Sequence, residues 1–255
     1  MIQRLLLLLV AASLAAACGG NRSTVPPNAA QPDRFLYERG AEALKNEKWL
    51  DAREYFRQVV DNYPQSPVRP DSKLGVGDSF LGEHTTEALI NAANEFREFL
   101  TFYPTNSRAD YAQYKLAMSH YEQMRAPERD QTETREALKE FDVFFQRYAN
   151  SEIAAEVKQK WRDARNRLSE ASFLVGLHYY RSRWYLGAMD RFREVLRDDP
   201  GYDGRDRVYF YLADSLAKTD KKAEAIPYYE RLLAEFPQSE HRKDTLERLE
   251  LLKTQ

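Results

Sequence analysis

The sequence predicts an all-α array of five helix pairs closed by one further helix. Three observations carry that prediction. An alanine followed four residues later by an aromatic recurs five times, at Ala52/Phe56, Ala92/Phe96, Ala137/Phe141, Ala188/Phe192 and Ala225/Tyr229. Eight residues beyond each aromatic stands Pro64, Pro104, Ala149, Pro200 or Pro237, and proline ends a helix because it lacks an N–H and clashes with the preceding turn. A small residue lies upstream of each pair, at Gly40, Gly77, Ala117, Gly176 and Ala213. With 10 Gly and 11 Pro in 255 residues, the chain is also poor in the turn formers that an all-β fold needs.

This pattern resembles the tetratricopeptide repeat, in which two antiparallel helices cross closely. One turn of each must then be small, and the aromatic fills the gap beside it. The repeats fall at roughly 33–66, 70–106, 110–151, 169–202 and 206–239, near the period of about 34 residues for this repeat type. Repeats 1, 4 and 5 keep twelve residues between the small residue and the second-helix alanine, whereas repeat 2 has fifteen and repeat 3 has twenty. The extra length of repeat 3 lies in Met124–Glu136, a polar stretch with a proline, read as a projecting loop. The charged stretch Glu152–Ser169 reads as an extension of the first helix of repeat 4, and Pro227 as falling in the first turn of its helix, where proline is tolerated. Glu240–Lys253 reads as an amphipathic capping helix, which terminal repeats require. The fold expected for 33–255 is thus a tetratricopeptide-repeat superhelix of five helix pairs plus a C-terminal capping helix.

The N-terminus carries an address. Arg4 precedes the apolar run Leu5–Val10 and the small residues Ala11–Ala17, too short to span a bilayer and suited to a signal peptide over residues 1–17. Ala15-Ala16-Ala17 before Cys18, the single cysteine of the chain, resembles the lipobox of bacterial lipoproteins, in which the thiol is acylated. That resemblance makes Cys18 the lipidation site and, with Gly19 after it, implies delivery to the periplasmic face of the cell outer membrane. Residues 18–32, with three prolines and no hydrophobic period, read as a flexible tether.

Composition narrows the function. The 38 basic and 40 acidic residues nearly cancel, so attraction to nucleic acid is not implied. One cysteine excludes a disulfide framework and any multi-cysteine zinc site. His84, His120, His178 and His241 are scattered, and none pairs with another at metal-ligand spacing. Gly75, Gly77 and Gly82 lack both the spacing and the preceding strand of a phosphate loop. No enzyme, cofactor or metal is expected. Binding is the natural work of a repeat array, because stacked pairs generate an extended concave surface. In such arrays the first helix of each pair lines the groove. Placed by register, the lining residues are Tyr37, Leu74, Tyr111, Tyr114, Tyr121, Phe173, Tyr180 and Phe210, an aromatic strip suited to an extended apolar peptide or to packing between repeats. Tyr202, Tyr209 and Tyr211 are expected to pack.

Signal peptide, Cys18, tether and five repeats together resemble the BamD family, lipoproteins of the outer-membrane β-barrel assembly machinery. The sharpest local match is Val175–Arg183 (VGLHYYRSR), followed by Ala188 to Pro200; the long insertion of repeat 3 and Tyr148–Ser151 fit too. The resemblance implies a scaffold that docks on the periplasmic POTRA region of a BamA-like insertase. It places Tyr179 and Arg191 at that partner interface, with Arg183 beside them. It also implies that unfolded outer-membrane proteins present their C-terminal signals to the N-terminal repeats, and that accessory lipoproteins join. The alternative is another envelope tetratricopeptide lipoprotein, such as a pilus-secretin pilotin or a Tol–Pal/peptidoglycan accessory factor.

Overall fold

A computed structural model describes residues 30–254. Cys18, the signal peptide and most of the tether lie outside them. The described residues form eleven helices and no strand. In chain order these are α1 Pro32–Lys45, α2 Trp49–Asn62, α3 Arg69–Leu81, α4 Thr86–Phe102, α5 Ala109–Tyr121 and α6 Thr132–Arg147. There follow α7 Ala154–Arg181, α8 Tyr185–Asp198, α9 Arg205–Lys218, α10 Lys222–Glu235 and α11 Arg242–Lys253. Five pairs and a cap result, and α1, α3, α5 and α9 each begin one residue before a repeat boundary read from the sequence. The described chain divides into two compact units, one ending at Ser79 and the other beginning at Phe80.

In the first unit α1 packs on α2, and the Phe56 ring lies between two glycines. A Cβ on Gly40 would sit 2.7 Å from that ring, and one on Gly75 would sit 2.5 Å from it. Neither distance is possible for a real side chain, so both helices can approach the ring only as glycine. Gly40 therefore acts as its period implied. In repeat 2 Gly75 makes a second close approach, back towards the aromatic of the preceding repeat. Gly75 and Gly77 both lie within α3. Arg53 fixes the end of this unit, donating from Nε to Ser79 Oγ at 3.2 Å.

In the second unit each helix from α4 to α11 packs on its successor, and α7 also touches α9. The repeat-4 pair shows the same steric device, with a Gly176 Cβ falling 2.6 Å from the Phe192 ring. Phe96, Phe141, Phe192 and Tyr229 are fully buried, as the Ala-x3-aromatic period requires. Thr85 caps α4 by accepting the Ala88 N–H at 3.2 Å.

Two sequence expectations are corrected. The insertion of repeat 3 is shorter than 124–136, because α6 already starts at Thr132. Gln131 closes the loop: its side-chain amide donates to the Ala126 and Arg129 carbonyls at 2.9 and 3.0 Å, and Thr134 Oγ1 donates to its Oε1 at 2.8 Å. Pro227 is the sixth residue of α10, beyond the first turn. It is exposed, as is Ala223, whose carbonyl the missing N–H would have met, so that oxygen can turn to water. The charged stretch from Glu152 does become helix, from Ala154, and runs unbroken into repeat 4 as the 28-residue α7.

Candidate protein-docking site

The groove positions read from the repeat register divide into two groups. Leu74, Tyr114, Phe173 and Phe210 are buried and pack within and between repeats, so an open strip through them is a correction to the expectation. Tyr37, Tyr111, Tyr121 and Tyr180 remain partly exposed. The cause is plain at repeat 3, where the first half of α7 covers α5. Tyr114 donates its hydroxyl to Glu156 at 2.6 Å, and Tyr121 donates to Asp163. Burial, reinforced by that carboxylate, pushes the Tyr121 phenol up to about 12, so it stays a donor at any ordinary pH. Trp161 Nε1 donates to Asp142 at 2.9 Å. Of the rings left accessible, Tyr111 has Arg108 over it at 4.6 Å and Lys115 at 5.3 Å.

Residues 162–170 of α7 are held by two charged clusters against the turn that follows α8. Arg162 pairs with Asp199, whose side chain is 5% exposed, and Ser169 Oγ donates to the same carboxylate at 2.6 Å. Burial alone would raise the Asp199 carboxyl. The bonds from Arg162 and Ser169 outweigh it and hold the group below the usual carboxylate range. Glu170 accepts from Tyr202 and Arg207, and the Arg207 guanidinium lies 4.6 Å over the Phe173 ring. Burial and Glu170 raise the Tyr202 phenol, which keeps it a donor. This turn is therefore fixed to α7 rather than free.

An exposed apolar patch lies where α7 turns into α8. The turn is closed by the Trp184 N–H donating to the Tyr179 carbonyl at 2.9 Å and the Arg183 N–H to the Tyr180 carbonyl at 3.0 Å. Arg183 takes a left-handed backbone with φ 62°, a conformation that suits glycine or asparagine and is costly for arginine. Trp184 is 69% exposed, Leu186 62% and Val175 44%. Trp184 packs on Tyr179 with ring centroids 5.8 Å apart. A Cβ on Gly187 would meet that ring in ordinary contact, at 3.4 Å. An open cleft of about 410 Å³ is lined by Arg183, Trp184, Tyr185, Leu186, Gly187 and Thr219.

Arg191 stands exposed on α8, one face along, with Nη1 2.8 Å from Glu194 Oε2. Glu194 first, and then the Tyr179 hydroxyl, raise the Arg191 guanidinium further. Tyr179, Arg183 and Arg191 are thus brought to one surface, with the aromatic at its centre and the cations at its rim. Sequence reasoning missed Trp184 and Leu186. The only signal was an apolar Trp-Tyr-Leu run at a helix start, six to eight residues before the buried Phe192, and such a run reads as core.

The histidines are dispersed structurally as well. His120 Nδ1 lies 2.7 Å from Glu133 Oε2, His84 Nδ1 lies 3.9 Å from Glu122 Oε2, and His241 stacks on Phe210. Among the described residues no group of three or more metal-ligating side chains forms a site, and no helix is long and apolar enough to cross a membrane.

Residues 29–213 match the family described as YfiO, outer membrane lipoprotein, and residues 207–239 match the tetratricopeptide repeat. Three curated relatives are each named outer membrane protein assembly factor BamD. The protein of Caulobacter vibrioides is 32% identical over 65% of this chain and 53% of its own length. That of Xylella fastidiosa strain 9a5c is 22% identical over 66% and 60%, and that of Rickettsia prowazekii 24% identical over 70% and 70%. The chain thus spans little more than half the length of the first two relatives it matches.

Proposed function

The chain belongs to the YfiO family of outer membrane lipoproteins, and from that premise we propose that it is a non-catalytic scaffold of the β-barrel assembly machinery. In this reading the turn between α7 and α8 docks on the POTRA region of a BamA-like insertase. The observation that carries it is the patch of Trp184, Leu186 and Tyr179 rimmed by Arg183 and Arg191. Isolated apolar side chains on a surface need no explanation, but two large ones at 69% and 62% exposure packed beside Tyr179 and rimmed by arginines form a contiguous patch that does. Such a patch fits a partner that offers an apolar side chain to the cleft and carboxylates to the two guanidiniums, which pair bidentately. The names of the relatives support the same machine.

Lipidation of Cys18 holds the scaffold at the periplasmic face of the outer membrane, with residues 18–32 as spacer. A second role, reception of C-terminal signals of unfolded outer-membrane proteins, is favoured by one observation. The partly exposed Tyr111 ring between Arg108 and Lys115 offers an aromatic face and cations together, the chemistry that suits a terminal aromatic residue and its carboxylate.

The test is an affinity pull-down of the full-length chain from detergent-solubilised envelopes, with partners identified by mass spectrometry. Recovery of a large barrel protein carrying POTRA repeats is the expected result. Recovery of a secretin or of Tol–Pal components in its place would overturn the machine while leaving fold and family intact.

A further inference from the structure

Helix α11 is lightly seated. Of its twelve residues it buries Thr245 and Leu249, whereas α9 beneath it buries eight of fourteen. Four buried side-chain N or O atoms lack a hydrogen-bond partner among the described residues. Two of them, His241 Nε2 and Thr245 Oγ1, belong to α11 and its N-cap. His241 Nε2 has only the Glu240 carboxylate near it, at 3.6 Å, whereas opening the helix returns Thr245 Oγ1 to water, so the seat works against itself at that atom.

Leu249 joins the core with Leu252 against it, and the Ser239–Asp206 bond ties down the turn before the helix; the other contacts that hold α11 are localised. Arg248 pairs with Asp214, whose side chain is 4% exposed, and its guanidinium lies 4.9 Å over the Phe210 ring. The His241 ring stacks on Phe210 at 4.4 Å and 9°. Lys253 reaches Glu230 at 3.0 Å, an exposed pair. The Asp214 carboxylate also accepts from the Tyr180 hydroxyl and lies 3.5 Å from Lys218 Nζ and from the Tyr229 hydroxyl. An aromatic face beside a buried carboxylate is the chemistry that recognises a guanidinium. Arg248 is its built-in occupant. Leu246 and Leu251, 37% and 61% exposed, take no part in the seat.

We propose that α11 is a displaceable strap, and that the slot beneath it, formed by Phe210, Asp214 and Tyr180, docks an arginine-bearing helical segment of a partner protein in competition with Arg248. The strap so defined regulates access to α9 while α7 to α10 stay folded.

Hydrogen exchange on the full wild-type chain tests the strap. Amides of α11 should exchange at least tenfold faster than those of α10. Equal rates would mean that α11 opens only with the unit as a whole, which overturns the strap. The slot is tested with a fluorescent synthetic peptide copying residues 239–255 as probe. It should bind full-length chains with a loosened strap, either Arg248→Ala or His241→Ala, at least tenfold more tightly than wild type. Binding should vanish when the probe carries Arg248→Ala or the loosened chain also carries Asp214→Asn. Failure to bind either loosened chain, or binding indifferent to the probe's arginine, would overturn the slot. His241→Ala removes the stack but keeps the ion pair, so the test survives if Arg248→Ala does not fold.

Discussion

Ser66 Oγ donates to the Asp33 carboxylate at 2.6 Å across thirty-three residues of chain. The same clasp recurs as Ser151 to Asp110 at 2.5 Å and Ser239 to Asp206 at 2.6 Å. In each the aspartate lies in the first turn of the leading helix of a repeat, and the serine lies in the turn that follows its second helix. The serine oxygen then accepts the N–H of Val68, Ile153 or His241, two residues on. One hydroxyl thus closes its own repeat and starts the next. Asp33 shows the electrostatic consequence: the Ser66 bond holds its carboxyl below the usual range.

Removing one clasp should loosen the array without unfolding it. Ser239→Ala deletes the bond to Asp206 and the acceptor for the His241 N–H. A loss of about 1 kcal/mol is expected for a partly exposed hydrogen bond, lowering Tm by about 2–4 °C in a chain of this size. Calorimetry of the variant checks it, and Ser239→Thr, which keeps the hydroxyl, should restore most of the loss.

Asp199 should make stability depend on acid. Its folded-state pKa lies below the value of about 3.9 for an unfolded aspartate. The stabilisation from Arg162 and Ser169 is therefore full above that pH and lost as pH falls through the lower folded value. Asp199→Asn removes one partner from a mostly buried pair and should cost about 3 kcal/mol at neutral pH. Denaturant titrations between pH 2 and 7 should show the gap between wild type and variant closing towards the acid end.

Arg183 should trade stability for binding. The left-handed backbone at φ 62° costs an ordinary L-residue about 1–2 kcal/mol, of which glycine returns about 0.4–1 through the entropy of the unfolded chain. Arg183→Gly should then be about 0.5–1 kcal/mol more stable than wild type, yet bind the POTRA partner more weakly. Paired melting and titration curves decide it, and a variant that gains both would remove Arg183 from the interface.

The fold was legible because its period is steric. Gly40 against Phe56 and Gly176 against Phe192 need a small residue and a ring at set spacing, and that need is written directly in the residue types. Three kinds of feature were not legible. The Asp–Ser clasps escaped notice because their separation changes from 33 to 41 residues with loop length. That Gly75 on α3 also meets Phe56 of the preceding repeat depends on helix rotation, which spacing alone leaves open. At the site, Tyr179, Arg183 and Arg191 could be placed by resemblance, whereas Trp184 and Leu186 look in sequence like core residues of an amphipathic helix. Conversely, Tyr114 and Tyr121 look like groove residues until α7 brings Glu156 and Asp163 to their hydroxyls.

Calorimetric titration of a purified POTRA region into the chain tests the α7–α8 turn as docking face most directly. Wild type should be compared with Trp184→Ala, which empties the apolar centre, and Arg191→Glu, which reverses the rim charge. Both residues are exposed, so helicity and Tm should hold. Loss of at least tenfold in affinity for each variant, with folding unchanged, is the predicted result. Wild-type affinity in both variants would contradict the docking face.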